Sequence, residues 1–149
     1  MAKYDTQRPY AASYLIFRRG SQVAFVLRQH TSWMNDHYGL VSGKVESGES
    51  FTQAAIREAA EEAGVTLTPE QLTPVLVCHR NEPDENMVWV DMVYEVTDWS
   101  GELINAEPHM HAALDWLELD NLPDNVIPSV AAMLTAYQAG QTYLDYGWN

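Results

Sequence analysis

Three glutamates, Glu58, Glu61 and Glu62, fall at positions i, i+3 and i+4 of the clearest helical segment in the chain, Ser50 to Ala63. On an α-helix that spacing projects all three carboxylates from one face. Ile56, Ala59, Ala60 and Ala63 lie on the other side, small enough to let the helix approach a sheet closely. Both ends are marked. Ser50 with Gln53 makes a capping box, and Gly64 stands where a C-terminal stop is expected. Like charges at these spacings repel by a few tenths of a kcal/mol per pair, so something should offset them. Arg57 reaches Glu61 one turn on and is placed to meet Glu49 near the helix start. Two outcomes remain for such a face: a solvated acidic surface, or oxygen ligands for hard divalent cations.

The flanking segments predict an α/β domain. Tyr10 to Phe17 and Gln22 to Leu27 are β-rich runs joined by a turn at Arg18-Arg19-Gly20-Ser21. Trp33 to Gly43 reads as a loop. Thr73 to Arg80, Met87 to Val96 and Ala113 to Leu119 read as strands, the first two joined by the polar run Asn81 to Asn86. Trp99 to His111 reads as a long polar loop, and a second helix is expected over Val126 to Ala139. The tail from Gln141 to Asn149 carries Tyr143, Tyr146 and Trp148 and is too aromatic to be left without packing. It suits a partner copy as well as the chain's own core, so a homodimer stays open. With no repeat or linker-like tract, residues 1–149 are expected to form one domain.

Charge narrows the partners. Eight Lys+Arg against 21 Asp+Glu give a net charge of −13, which argues against a nucleic-acid polymer and against an anionic membrane surface. A small phosphorylated ligand is still compatible, because metal ions supply positive charge locally. Cys78 is the only cysteine and, lying in a strand, is expected to be a small core residue. No secretory leader or membrane-spanning run is visible, so a reducing cytoplasmic location is expected.

The segment Gly43 to Val65 resembles the Nudix box, G-x5-E-x7-R-E-U-x-E-E-x-G-U, where U is a bulky aliphatic. Gly43, Glu49, Arg57, Glu58, Glu61, Glu62, Gly64 and Val65 match it, and Ala59 in place of the first U departs from it. Many relatives carry Pro-Gly-Gly where this chain has Val41-Ser42-Gly43, so Ser42 stands at the first glycine. That family resemblance, closest to its MutT-like branch, implies an α/β/α sandwich with a mixed β-sheet. It implies Mg²⁺- or Mn²⁺-dependent hydrolysis of a nucleoside diphosphate linked to another group. Glu58, Glu61, Glu62 and the Gly43 carbonyl would hold metal, and Glu49 and Arg57 would orient the carboxylates. Arg57 and Glu61 also count among the catalytic residues.

A carboxylate outside the box is a further expectation, and Glu107 is preferred to Glu102 as the base. Lys44, Tyr38 and Asn125 are candidates for substrate binding, with Trp33, Trp89 and Trp99 as alternative stacking surfaces. Asn125 serves equally well as a helix cap. His109 and His111 are read as loop histidines. The leading function is cleavage of a nucleoside triphosphate, including an oxidised or damaged one, to monophosphate and pyrophosphate. The alternatives are hydrolysis of ADP-ribose, a nucleotide sugar or another diphosphate-linked compound, and a non-catalytic nucleotide sensor on the same fold.

Overall fold

Alternation along the first two strands sets the layering. In the computed structural model, which describes residues 6–149, Ala12, Tyr14 and Ile16 of β1 (Tyr10–Arg19) enter one apolar core, while Leu15 and Phe17 enter the other. β2 (Gln22–Arg28) divides likewise, Val23 and Phe25 against Ala24 and Val26. Successive side chains of a strand point to opposite faces, so both faces of the sheet must be covered.

The remaining elements are β3 (Tyr38–Gly39), β4 (Val41–Lys44), α1 (Phe51–Ala63), β5 (Thr73–Glu82), β6 (Met87–Val96), β7 (His111–Glu118), α2 (Pro128–Gln138) and β8 (Tyr143–Tyr146). The β1–β2 turn is tight, with Gly20 at φ +61°, and pairs only Arg18 with Val23 and Arg19 with Gln22. Beyond it the strands part. β1 takes β4 antiparallel and β6 parallel, while β2 takes β3 and β7, both antiparallel. β5 joins β6 antiparallel and β8 parallel. α1 buries Ala55, Ala59 and Ala63 in the core that holds Leu15, and α2 buries Val130, Met133 and Leu134 in the other. The result is the expected mixed sheet between two helices.

Several boundaries differ from expectation. Trp33 to Gly43 contains β3 and β4, strands too short for a pattern to show and held by their partners alone. β7 starts at His111, two residues early. α2 starts at Pro128 rather than Val126, because Val126 bridges Tyr38 and the Ile127 amide donates to the Tyr38 carbonyl at 2.9 Å. Ala60 is exposed, so the buried side of α1 is Ala54, Ala55, Ala59 and Ala63. The aromatic tail forms β8, and the Trp148 indole donates to the His79 carbonyl at 2.9 Å. Among the described residues no helix is long and apolar enough to cross a membrane.

Candidate active site

Helix α1 is fixed at both ends and along its length. Ser50 and Gln53 make the reciprocal capping box, Gly64 closes the helix at φ +71°, and Ser13 Oγ on β1 donates to the Phe51 carbonyl at 2.7 Å. That contact draws the glutamate face alongside β4.

Arg57 braces this face. Its Nε and Nη2 take the two oxygens of Glu49 at 3.0 and 2.7 Å, and Nη2 also donates to the Lys44 carbonyl at 2.9 Å. Nη1 donates to Glu58 at 2.7 Å and to Glu61 at 3.2 Å. One planar guanidinium thus ties the loop after β4 to two carboxylates, a fork geometry that a lysine cannot supply.

Glu58 lies against Gly43. A Cβ at Gly43 would stand 2.0 Å from Glu58 Oε1, so only glycine leaves room for the carboxylate there. The Ser42 amide donates to Glu62 Oε1 at 2.9 Å. Ser42 sits in β4 opposite Tyr14 with no positive φ, so a glycine is not needed at that position. We expect Gly43→Ala to displace Glu58, lower the melting temperature by the equivalent of about 1–3 kcal/mol and remove most activity. A variant with wild-type melting and turnover would show that the close approach does not matter.

The loop after β6 completes the cleft. The amides of Ile104 and Ala106 donate to the carbonyls of Ala63 and Glu62, at 3.0 and 3.1 Å, so this loop grows off the C-terminal end of α1. It delivers Glu107 beside Glu62, while Glu102 is exposed. His111 departs from its reading as a loop histidine. Pairing with Arg28 at the end of β2, across a bulge at Ala112 of β7, draws it into the fold, where it is 4% exposed. Ligand atoms of Glu62, Glu107 and His111 lie within 4.8 Å of one another. No spacing linked Glu62 to the other two, since it comes from α1 while Glu107 and His111 come from the stretch that leads into β7.

Burial dominates the electrostatics. It raises Glu58 to about 7 against the opposing pull of Arg57, with Glu61 and Glu107 adding to the rise. It pushes Glu62 well above the usual carboxylate range, against the Ser42 amide, and Glu107 rises through burial and the Glu61 charge. Glu49 is held down at about 2 by its hydrogen bonds from Arg57. Burial, then the Arg28 charge, lowers His111.

A consequence for stability follows from linkage. Carboxylates with raised folded pKa values bind protons more tightly in the folded chain than in the unfolded one. Their contribution is complete below the unfolded value near 4.5 and is lost as pH rises through the folded value, about 7 for Glu58. His111 acts oppositely below 6.5, so the decline is clearest above that pH. In chelator, the protein should therefore lose on the order of 1 kcal/mol between pH 6.5 and about pH 8 as Glu58 finishes titrating, with Glu62 adding in the same direction. Millimolar Mg²⁺ should restore it by mass action. Melting curves independent of pH and metal would refute this account.

Beside the glutamates opens a cleft of about 280 Å³ lined by Tyr14, Arg28, Trp33, Lys44, Arg80 and Trp89, with Gly43 at its border with the glutamates. Arg80 is buried and paired with Asp91 through Nε at 2.7 Å and Nη2 at 3.1 Å. Lys44 reaches over the Trp89 ring at 5.9 Å. The other sequence candidates are occupied elsewhere. Tyr38 donates to Asp115 at 2.6 Å, and Asn125 donates to the Asp36 carbonyl at 3.0 Å without capping α2, whose cap is Ile127. Trp99 stacks on Trp116 at 5.9 Å, near a separate hollow at the β1–β2 turn.

An acidic helix face braced by arginine, closed by a glycine-bordered strand and opening on a cationic cleft suits hydrolysis at a polyanion. Comparison with known proteins makes the assignment. The NUDIX domain model matches residues 7–137, and the chain belongs to the Nudix family of phosphoric anhydride hydrolases. It is 32% identical over 123 residues to the asymmetrical bis(5'-nucleosyl)-tetraphosphatase of Caenorhabditis elegans, covering 74% of this chain and 80% of that protein. A MutT NUDIX hydrolase from Burkholderia pseudomallei superposes with a TM-score of 0.79 at 28% identity, over 87% of this chain and 98% of the other. A NUDIX hydrolase from Nitrosomonas europaea shares the fold, with a TM-score of 0.73 at 17% identity over 91% and 93% of the two chains.

Proposed function

We propose that this chain is a metal-dependent pyrophosphohydrolase that cleaves a nucleoside triphosphate to the monophosphate and pyrophosphate. The observation that carries the reading is the complete set of Glu58, Glu61 and Glu62 braced by Arg57 against Glu49. A sensor without turnover would have no use for this brace. The donor set suits a divalent cation. It is oxygen-only, crowded with like charge, and so costly to ionise that Glu58 rises to about 7.

In this reading Glu58, Glu61, Glu62 and the Gly43 carbonyl hold Mg²⁺ or Mn²⁺. The cation would neutralise phosphoryl oxygens and acidify water. Arg57 and Glu49 keep the carboxylates in register, so little reorganisation is needed when substrate arrives. Glu107, beside Glu62, accepts the proton of the attacking water, and its raised pKa brings its basicity closer to neutral pH. Lys44 meets a phosphate at the mouth of the cleft. Trp33 and Trp89 flank the base. Tyr38 and Asn125 take structural roles, given their bonds to Asp115 and Asp36.

The cleft supports a single nucleoside. At about 280 Å³ it falls just below the range of about 300–1,000 Å³ usual for ligand pockets. A second reading, cleavage of a dinucleoside polyphosphate or another diphosphate-linked nucleotide, draws support from the relative named a tetraphosphatase. A nucleotide panel with Mg²⁺, assayed by product identity, decides between them. Release of pyrophosphate and monophosphate from a triphosphate, with little turnover of dinucleotides, is expected. Preference for diphosphate-linked substrates would favour the second reading, and no turnover of any nucleotide would sink both.

A further inference from the structure

His111 stands beside Glu62 and Glu107, and the reaction as described gives it no part. Its ring is buried, 4% exposed, and its Nδ1 has no hydrogen-bond partner. Its Nε2 stands 3.7 Å from Glu62 Oε2, beyond hydrogen-bonding distance. A buried imidazole left in this state has given up water without compensation. The arrangement is fixed from several sides. Glu62 is anchored by the Ser42 amide, and the His111 amide donates to the Glu107 carbonyl at 2.9 Å. Asn105 Nδ2 donates to the His111 carbonyl at 2.8 Å. The ring is therefore held among two carboxylates by backbone contacts rather than by a bond of its own.

We propose that Glu62, Glu107 and His111 form a second cation site, one that includes nitrogen and selects a transition-metal ion such as Mn²⁺ over Mg²⁺. The ligand atoms already lie within 4.8 Å of one another. Small side-chain rotations bring them to the distances of about 2.0–2.2 Å that imidazole and carboxylate donors take around such ions. The chemistry separates this site from the glutamate face. Glu58, Glu61 and the Gly43 carbonyl offer oxygen only, which suits Mg²⁺, whereas an imidazole shifts preference toward Mn²⁺, Co²⁺ or Zn²⁺. Glu62 has an oxygen for each site. Glu107 can lend one oxygen to the cation and keep the other for a proton. The inference rests on the reading of Glu62 as a metal ligand.

The test uses the full chain, cleared of metal with chelator and then given Mn²⁺ alone. Pulsed electron paramagnetic resonance should show modulation from a directly bound nitrogen, and growth on ¹⁵N-histidine should change that pattern without altering the protein. His111→Leu should abolish the modulation. Both His111→Leu and Glu107→Gln should weaken Mn²⁺ binding at one of two sites by about tenfold or more, with Mg²⁺ binding at the other retained. Absence of nitrogen modulation overturns the proposal, as does its persistence in His111→Leu or equal competition by Mg²⁺. If His111→Leu fails to fold, the isotope substitution and Glu107→Gln still decide. Nucleotide turnover without the nitrogen signal defeats this site alone. The signal without turnover defeats the hydrolase reading alone.

Discussion

Glu61→Gln and Glu62→Gln should each lower turnover by more than about 100-fold, since even groups that merely support metal ligands cost 10–100-fold when removed. Neither change should disturb the fold. Glutamine keeps the length and helix preference of glutamate, and at position 62 its carbonyl oxygen can still accept the Ser42 amide, now 2.9 Å from Glu62 Oε1. The two variants should separate in chelator. Glu62 is buried and costly to ionise, so Glu62→Gln should make the metal-free protein less sensitive to rising pH. Glu61 is about half exposed, and its replacement should alter that profile only through the charge it removes from beside Glu58 and Glu107. Glu70→Gln, in the exposed turn after α1, is the control and should retain activity. Near wild-type turnover in both site variants would remove the metal-dependent hydrolase assignment.

Glu107→Gln should cost about 10²–10⁴ in kcat, the usual range for loss of a general base. The glutamate face of α1 is unchanged in this variant, so Mg²⁺ binding should survive. The rate loss should also be smallest at high pH, where solvent base partly substitutes. A loss of rate that tracks lost Mg²⁺ affinity would make Glu107 a ligand only. Near wild-type turnover would move the proton to Glu102 or Glu49. Glu49 is the less suitable of these, because Arg57 holds it down at about 2.

The sequence by itself determined the helix, its caps, its carboxylate face and the family. All of these are written locally: Ser50 to Gln53, Arg57 to Glu61 and Gly43 to Val65 are spacings along one short segment, and helical periodicity converts them directly into geometry. The layering was legible through the family resemblance, and the near-continuous apolar runs of β1 and β2 agree with a sheet buried on both faces. Only tertiary structure decided the rest. β3 and β4 are too short to carry a pattern and exist because β2 and β1 pair with them. The Tyr38 hydroxyl is taken up by Asp115, 2.6 Å away on a strand far along the chain. The exposure of Ala60 depended on where the sheet meets α1. Gly43 is a glycine because the Glu58 carboxylate folds back over it, and His111 joins Glu62 and Glu107 because β7 begins there, paired with Arg28 across a bulge at Ala112. Contacts between distant segments have no period in sequence, so the cleft wall was legible only once the strands were paired.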